Sequence, residues 1–503
     1  MHLSLTSWAW IPLLIPVAQA TSILLERGNV ITFDEETLSP LVLRNASILI
    51  IDDTISAIFH PSRNDSVAVP DDVERIPADN DIISPGFVDT HRHVWQTVLR
   101  GLGADSTISE YLFRWANPQL SAESFDPEIM YYSQLMGLCE AQNSGVTTIV
   151  DNGSNTFSEV IAEAERDASI DSGIRTFWAY HIGNVYANFS VEDQIAVYRR
   201  FTADPRVQES LLSMGIGYEG FATLGANVTN TVLNLARDLN ASVVETHYDG
   251  GNLGSYNSPA LLQQLNFLNQ SFPVIFVHSN RLTPRDIAVL RSYDHYTSFV
   301  PEFELHHGND NYLPSLAQDR GSLSVGTHYS SSGDIVTQAR MWLQTVRGWR
   351  LSSVMQEFKV PANNPMSVNQ AFLLATRSGG LALGRPDLGV LRVGAKADIA
   401  VFDGTAPGML GWQNAIAAVI LHSNVGNVKH VLVDGQWRKR DGELLCAVNQ
   451  TDVESRFLEA ARRVQSFWEG VPPTVLEGVS PLAGSEYAIL DEVDVTRRFD
   501  VDS

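Results

Sequence analysis

The sequence predicts an α/β protein in which a (β/α)8 TIM barrel interrupts a small β-sandwich domain. Short apolar runs alternate with longer helical patterns along the middle of the chain, which is the rhythm of a parallel barrel. Short β-like runs separated by Gly and Asp/Asn turns lie on both sides of that region. The chain has 503 residues, which is enough for a large barrel and a second, smaller domain.

The first residues, MHLSLTSWAWIPLLIPVAQA, predict a secretory signal peptide over residues 1–20. Its apolar stretch is too short to span a bilayer and is followed by Ala-Gln-Ala, a small-x-small cleavage pattern. Asn-x-Ser/Thr acceptors support secretion as an N-glycosylated protein, although Asn152 is expected at a buried strand end. The acceptors are Asn45, Asn64, Asn152, Asn188, Asn227, Asn240, Asn269 and Asn449.

The remaining elements follow in order. Residues 21–83 predict the first part of the sandwich and residues 386–447 its second part, because both consist of strand-like runs and turns. Residues 84–385 predict the barrel, and residues 448–503 an amphipathic helix with a polar tail. The eight barrel strands are expected at FVDTH, TTIVDNG, RTFWAYH, GIGYEG, SVVETH, PVIFVH, YTSFV and SLSVGTH.

The composition limits the partners. A formal net charge of −24 argues against nucleic acid or an anionic membrane, because both repel a surface of that sign. Beyond the predicted signal peptide no segment is long and apolar enough for a membrane helix, so we expect the mature protein to be soluble. Cys139 and Cys446 are compatible with one disulfide or with two buried free thiols.

Histidines at strand ends are the strongest functional signal. His91 and His93 follow FVDT, and residues two apart in a strand point to the same side, so both imidazoles should face the barrel axis. His247 ends SVVETH and His278 ends PVIFVH, at the barrel face where active sites are built. One such histidine alone is compatible with a hydrogen-bonded core residue, but four together predict a zinc-type metal site.

Two acidic residues flank His247 and are candidates for acid–base catalysis. Glu245 lies two residues before His247 and should point inward, where it would orient a ligand, act on substrate or have a structural role only. Asp249 lies two residues after His247, in the following loop, and is a candidate acid or base.

Further residues are expected to line the pocket. Glu302 and Glu304 follow YTSFV and share one side if the chain stays extended, and His306 would complete a polar rim. A solvated loop is the alternative for this stretch. The other candidates for substrate contact, each with ordinary packing as its alternative, are Trp95, Gln96, Trp115, His181 and Tyr248.

The position of the first lysine excludes two kinds of site. No lysine occurs before Lys359, so no carbamylated lysine can bridge two metal ions within the barrel strands. A Schiff-base lysine at a barrel strand is excluded for the same reason. Any metal site is therefore expected to hold one ion.

Two motifs carry a resemblance to a known family. SPGFVDTHRHVWQTVLRG (84–101) and GVLRVGAKADIAVFDG (389–404) resemble the amidohydrolase superfamily. The chain is similar to the branch that contains atrazine chlorohydrolase, guanine deaminase and the methylthioadenosine/S-adenosylhomocysteine deaminases, from about residue 22 to residue 445. This resemblance implies hydrolysis of a non-peptide C–N bond, by deamination or amide or amidine hydrolysis, and a possible homodimer.

The resemblance also implies a ligand set. One Zn²⁺ or Fe²⁺ would be held by His91, His93 and His247, with His278 beside the water or substrate. A metal ion of this kind lowers the pKa of bound water to about 7. In the family a strand-eight aspartate then takes the proton of the water, and a glutamate three residues after the strand-five histidine protonates the substrate.

This sequence departs from the family at both carboxylates. Gly250 stands three residues after His247, and His328, in GTH, aligns with the strand-eight aspartate. Asp334 lies six residues beyond His328, which is too far to replace it on a similar backbone path.

Three interpretations remain open. In the first, His328 is a ligand or base of a rearranged hydrolase site, and Asp249 or Glu245 supplies the second proton transfer. In the second, the same pocket serves a lyase, isomerase or cyclase, with or without metal. In the third, the barrel only binds a ligand. Loss of a catalytic carboxylate costs several orders of magnitude in rate, so an unaltered family mechanism is rejected.

Overall fold

The computed structural model describes residues 22–62, 67–184, 186, 188–250, 254, 256–309, 312–327, 329, 331–446, 449–482, 484–491 and 493. Within these residues it confirms the predicted fold class, because it contains an eight-stranded parallel barrel and a separate nine-stranded sheet. The predicted signal peptide, Asn64 and His328 lie outside the described residues.

The strands follow the order expected from the sequence. They are β1 (Ile23–Asp34), β2 (Ser39–Ile51), β3 (Thr54–Phe59), β4 (Glu74–Pro77), β5 (Ile82–Pro85), β6 (Phe87–Arg92), β7 (Val146–Gly153), β8 (Arg175–His181), β9 (Leu212–Gly217), β10 (Val244–Tyr248), β11 (Val274–His278), β12 (Tyr296–Phe299), β13 (Gly321–Leu323), β14 (Ile399–Phe402), β15 (Val428–Val433), β16 (Gln436–Arg440) and β17 (Glu443–Leu444).

Helices connect the barrel strands and extend the chain beyond them. They are α1 (Ile108–Glu110), α2 (Pro118–Ser124), α3 (Pro127–Asn143), α4 (Glu159–Ser172), α5 (Val191–Thr202), α6 (Pro205–Gln208), α7 (Ala226–Asp238), α8 (Pro259–Gln264), α9 (Pro284–Tyr293), α10 (Pro301–His306), α11 (Tyr312–Ser315), α12 (Ile335–Gln356), α13 (Val368–Ala375), α14 (Arg377–Ala382), α15 (Ala415–Ala417) and α16 (Gln450–Glu469). None of those in the described ranges is long and apolar enough to cross a membrane.

The separate sheet joins the two ends of the chain. Its order is β17-β16-β15-β14-β5-β1-β2-β3, with β4 paired to β1. The junction is the antiparallel pair β5–β14, in which Ile83 lies opposite Val401. Both side chains are fully buried in one apolar cluster, so the segments before and after the barrel share a core.

The barrel runs in sequence order from β6 to β13. It is closed beyond the named ends of those strands, where the amide of His93 donates to the carbonyl of Gly326 at 2.8 Å. Small polar side chains fill part of the interior, since Thr90 hydrogen-bonds Ser298 at 2.7 Å and Ser322 at 2.8 Å. These buried hydroxyls satisfy one another, so the barrel is a packed core and not a channel.

An ion-pair network joins the barrel to the sheet. Arg175, the first residue of β8, contacts Asp398 at 3.1 Å and Asp434 at 2.6 Å. Arg175 is almost fully buried, so its charge depends on these two carboxylates for compensation.

The two cysteines form a disulfide between α3 and the residues after β17. Cys139 and Cys446 have Cα atoms 5.4 Å apart, although 307 residues separate them in the sequence. Helix α16 then packs on α3, where Arg463 and Arg456 contact Asp126 and Glu128. The disulfide therefore fastens the C-terminal segment to the barrel.

A pair of buried acids lies outside the barrel axis, between β7 and α4. Asp151 accepts hydrogen bonds from the amide of Val94 at 3.1 Å and from Gln134 at 2.5 Å. Glu165 accepts one from the indole of Trp178 at 2.7 Å. Burial raises the pKa of both carboxyls, and the charge of Asp151 raises that of Glu165 further.

We predict that removing the disulfide destabilises the protein. Cys446→Ser opens a loop of 307 residues, and the chain-entropy argument gives a loss of about 2 to 5 kcal/mol in the free energy of unfolding. Denaturant unfolding of wild type, with and without dithiothreitol, and of Cys446→Ser measures the effect. Equal midpoints for oxidised and reduced wild type would contradict it.

We also predict that stability falls as the pH rises. The folded carboxyls of Asp151 and Glu165 hold protons that the unfolded chain releases above about pH 4, so the unfolded state binds fewer protons. The stabilisation is complete below that pH and is lost as the pH passes the raised folded pKa values. In Glu165→Gln the melting temperature should fall less steeply with pH between about pH 4 and pH 7 than it does in wild type. An unchanged slope would show that this pair does not govern the pH dependence.

Candidate active site

Three histidines converge at the carboxyl end of the barrel. His91 is in β6, His93 directly follows it, and His247 is in β10. Nitrogen atoms of the three rings all lie within 4.8 Å of one another. The rings of His93 and His247 are nearly parallel, with centroids 5.5 Å apart, and His91 meets each of them edge-on. We call these three residues the histidine triad.

A buried carboxylate orients His91. Its Nδ1 is 2.9 Å from Oε1 of Glu245, and the other carboxylate oxygen accepts a hydrogen bond from Asn152 at 2.7 Å. Glu245 is fully buried. Burial raises the pKa of Glu245 to about 8, against the opposing effects of His247 and Asn152. Both oxygens of Glu245 are thus engaged.

A second carboxylate orients His247. Nδ1 of His247 is 2.7 Å from Oε1 of Glu219, and the backbone amide of His247 donates to the same carboxylate at 3.1 and 3.2 Å. Asn257 donates to the other oxygen at 3.1 Å. Burial raises the pKa of Glu219, but the charge and hydrogen bonds of His247 outweigh it, so the net shift is downward. Glu219 follows β9.

The third ring has a neutral partner. Nδ1 of His93 is 3.1 Å from the hydroxyl of Ser154, which also accepts the indole N–H of Trp95 at 3.2 Å. Burial and the charges of neighbouring histidines lower the pKa of His91 and His93 well below the ordinary value. Burial also lowers that of His247, but Glu219 reverses the shift.

His278 lies beside the triad in an unusual backbone conformation. It has φ of 67° and Ser279 has φ of 58°, which is the left-handed region that non-glycine residues rarely adopt. The His278 ring stacks on Phe303 with centroids 5.0 Å apart, and its centroid lies 5.5 Å from that of His247. Such strain at a buried strand end is typical of functional sites.

Two carboxylates face His278. Its Nδ1 is 3.6 Å from Oε1 of Glu304, too long for a hydrogen bond. Asp249 accepts a hydrogen bond from Asn280 at 2.8 Å. Burial lowers the pKa of His278, but the charges of Asp249 and Glu304 raise it more. Burial raises the pKa of Glu304.

The prediction that the residues after β12 form a polar rim on an extended chain is wrong, because these residues are helical. Pro301 begins helix α10, so Glu302, Glu304 and His306 do not share one side of an extended chain. Glu302 accepts hydrogen bonds from Ser332 and Gln338. His306 is exposed and its Nε2 contacts the carbonyl of Ser106 at 2.9 Å. Only Glu304 reaches the residues beside the triad.

The other residues expected to line the pocket are buried, and most of them contact neighbouring side chains or backbone. Gln96 donates to the hydroxyl of Tyr111 at 2.9 Å, and Tyr111 stacks on Tyr329 with centroids 4.6 Å apart. Tyr248 donates to the carbonyl of Arg281 at 2.9 Å. His181 is buried, and no described residue hydrogen-bonds its Nδ1. Their substrate roles stay predictions.

The backbone explains one departure from the family. Gly250 has φ of 64°, and a Cβ there would lie 3.1 Å from the Cβ of Arg281, so a glutamate at this position would be strained. Asp334 caps the first turn of α12 by accepting from the amide of Val336 at 3.0 Å. It therefore serves the helix. His328 lies outside the described residues, so its predicted role stays a prediction.

The sequence identified Glu245 as a residue that could orient a ligand, but it did not identify the other partners of the triad. Glu219 and Ser154 directly follow strand runs, and Asn152 lies one residue before the end of β7. Each is a polar residue at the end of an apolar run, which is the same signal that identified the histidines. The signal could have been applied to all eight strands and not only to their histidines.

The triad fits a divalent metal ion. Nδ1 of each ring faces a protein acceptor, so Nε2 is the nitrogen that would ligate. Neutral imidazoles with an oriented second nitrogen are typical metal ligands. Three protein ligands are the number typical of a catalytic zinc site.

Two deaminases are similar to this chain over most of its length. The 5-methylthioadenosine/S-adenosylhomocysteine deaminase of Pyrococcus furiosus is 25% identical over 447 residues, which cover 87% of this chain and 99% of that protein. The 5'-deoxyadenosine deaminase of Methanosphaera stadtmanae is 24% identical over 442 residues, covering 85% and 97%.

Solved structures share the fold. An adenosine deaminase from Xanthomonas campestris with bound zinc has a TM-score of 0.74 at 18% identity, covering 89% of this chain and 99% of its own. Atrazine chlorohydrolase from Arthrobacter aurescens TC1 complexed with zinc has a TM-score of 0.71 at 17% identity, covering 87% and 100%. The model of the amidohydrolase family matches residues 82–257 and 322–438, more than half of the chain. The chain belongs to the amidohydrolase family.

Proposed function

We propose that one Zn²⁺ or Fe²⁺ ion binds His91, His93 and His247 and serves the hydrolysis of a non-peptide C–N bond in a small molecule. The hydrolase class follows from the family and from the deaminase relatives. The observation that supports the metal is the approach of three ring nitrogens to within 4.8 Å.

We assign the two proton transfers of the reaction to residues near the histidine triad. When bound, the metal acts as a Lewis acid and lowers the pKa of a water molecule to about 7. Nδ1 of His278 faces Glu304, so we assign Nε2 of His278 to exchange a proton with the substrate. Asp249 lies two residues after His247 and is partly exposed, whereas Glu245 is buried. We therefore assign Asp249 to the second proton transfer.

The rearranged site distinguishes this chain from the family pattern. Gly250 removes the family glutamate, and His328 replaces the strand-eight aspartate. We propose His328 as a fourth ligand or as the base that deprotonates water, because an imidazole can serve either role near neutral pH.

The substrate class comes from the relatives by proposal. Their names give methylthioadenosine, S-adenosylhomocysteine and 5'-deoxyadenosine as substrates. We therefore propose small molecules with an amino or amidine group on a ring, with aminopurine nucleosides as the first to test and simple amides next.

We also propose that the protein is secreted and N-glycosylated. A disulfide is stable mainly in oxidising compartments, which agrees with the predicted signal peptide. Six acceptor asparagines are exposed, whereas Asn152 is buried and donates to Glu245. The six are Asn45, Asn188, Asn227, Asn240, Asn269 and Asn449. A homodimer, usual for the family, remains part of the proposal.

The first test measures the metal content of protein that was purified without any chelator. We expect about one equivalent of zinc or iron in wild type and almost none in His91→Ala, because one of three imidazole ligands is lost. His422→Ala, at an exposed histidine outside the site, is the control and should keep the ion. Elemental analysis measures all three proteins.

The same preparation tests the reaction and the role of His328. Wild type should release ammonia from an aminopurine nucleoside or amidine, and His91→Ala should not. Full metal occupancy in His328→Ala would show that His328 is not a ligand. A wild type without stoichiometric metal would contradict the proposed function and favour a metal-free reaction or ligand binding.

Glycosylation gives a separate prediction. Protein secreted from a eukaryotic host should lose mass on treatment with an N-glycosidase, at several of the six exposed acceptors. Asn152→Gln should leave the glycan mass unchanged, because its side chain is buried. A secreted protein without any glycan would contradict this part of the proposal.

A further inference from the structure

Two glutamates contact the histidine triad through the ring nitrogens that would not bind the metal. Neither occupies a position at which the family has a catalytic carboxylate. Glu245 contacts His91 and Glu219 contacts His247, each through Nδ1 of the imidazole. The two acidic side chains come from neighbouring strand ends, since Glu219 follows β9 and Glu245 is in β10.

We propose that Glu219 and Glu245 are positioning residues that fix the imidazoles of His247 and His91 from outside the ligand shell, a position from which Glu219 also opposes the charge of a bound ion. This inference rests on the proposed metal site. A divalent ion on three imidazoles keeps its full charge, because neutral histidines contribute none. The family places an aspartate on the metal at strand eight, and this chain has His328 there.

The contacts of Glu245 favour this role over proton transfer to substrate. Its Oε1 lies 2.9 Å from His91, its Oε2 accepts from Asn152 at 2.7 Å, and the side chain is fully buried. A carboxylate with both oxygens engaged and no access to solvent has no oxygen left for a substrate. It can fix the ring of His91 and make it a stronger ligand.

Glu219 holds His247 at two points. It accepts from both the ring Nδ1 at 2.7 Å and the backbone amide at 3.1 Å. Asn257 donates to the same carboxylate at 3.1 Å and fixes its orientation. The backbone contact sets where His247 lies and the ring contact sets how it is rotated, so this glutamate determines the direction of one ligand.

His93 provides an internal comparison. Its Nδ1 contacts the neutral hydroxyl of Ser154 at 3.1 Å. Two of the three ligands are therefore backed by carboxylates and one by a neutral group. If the charge of Glu219 is important, Ser154→Ala should weaken metal binding less than Glu219→Gln does.

The test measures the affinity of wild type and variants for Zn²⁺ by competition with a chromophoric chelator. Glu219→Gln and Glu245→Gln keep the size of the side chain and one oxygen acceptor but change its contact with the imidazole, and Glu219→Gln also removes a charge. Each should weaken Zn²⁺ binding by roughly 10- to 100-fold. Glu219→Asp should restore part of the affinity, and the visible spectrum of the Co²⁺-loaded protein should change in both Gln variants.

The control is a buried glutamate that contacts no ligand. Glu165 accepts the indole N–H of Trp178 at 2.7 Å, and Glu165→Gln should bind Zn²⁺ as wild type does. The metal-free Glu219→Gln protein should melt as metal-free wild type does, since a purely structural role would lower its melting temperature.

Each outcome decides a different statement. If wild type binds no Zn²⁺, the proposed function and this inference both fail. If wild type binds Zn²⁺ and the two Gln variants bind it equally well, only this inference fails. An equal loss of affinity in Glu165→Gln would also overturn it, because the effect would then not depend on contact with the triad.

Discussion

Backbone hydrogen bonds between the end of β6 and Gly326 close the barrel at the height of the histidine triad. The amide of Gly326 donates to the carbonyl of His91 at 3.0 Å, and the amide of His93 donates to the carbonyl of Gly326 at 2.8 Å. The same two segments are joined below by Asp89, which accepts from Arg92 at 2.7 Å and from the amide of Val325 at 3.2 Å. These contacts fix the backbone of two triad histidines and the end of the eighth strand together.

Gly326 is required for that closure. Its φ is 78°, and a Cβ there would lie 2.3 Å from a methyl group of Val300. A larger residue would collide with Val300, which follows β12, and would disturb the backbone on which the paired amides depend. The sequence GTH therefore begins with a residue that the fold needs, and its histidine stands where the resemblance implies the aspartate of the family.

The barrel and the histidines could be predicted from the sequence because both depend on local periodicity. The contacts of the site could not, because they join residues far apart in the chain. Glu219, which follows β9, contacts His247 in the neighbouring strand β10. The pairing of Cys139 with Cys446 depends on where α3 lies. A shared side for Glu302 and Glu304 requires an extended chain, but Pro301 begins a helix, and Glu302 hydrogen-bonds Ser332 and Gln338.

In the family the aspartate has two functions, because it neutralises the charge of the metal and accepts a proton from water. In the proposed site Glu219, which contacts His247, can contribute to the first, because electrostatic attraction acts across an imidazole ring in a buried site. It cannot do the second, because a proton must move over hydrogen-bond distance. Under the proposed function His328 accepts that proton if it is not a ligand. His278, whose backbone φ is positive and whose Nδ1 faces Glu304, then exchanges a proton with the substrate.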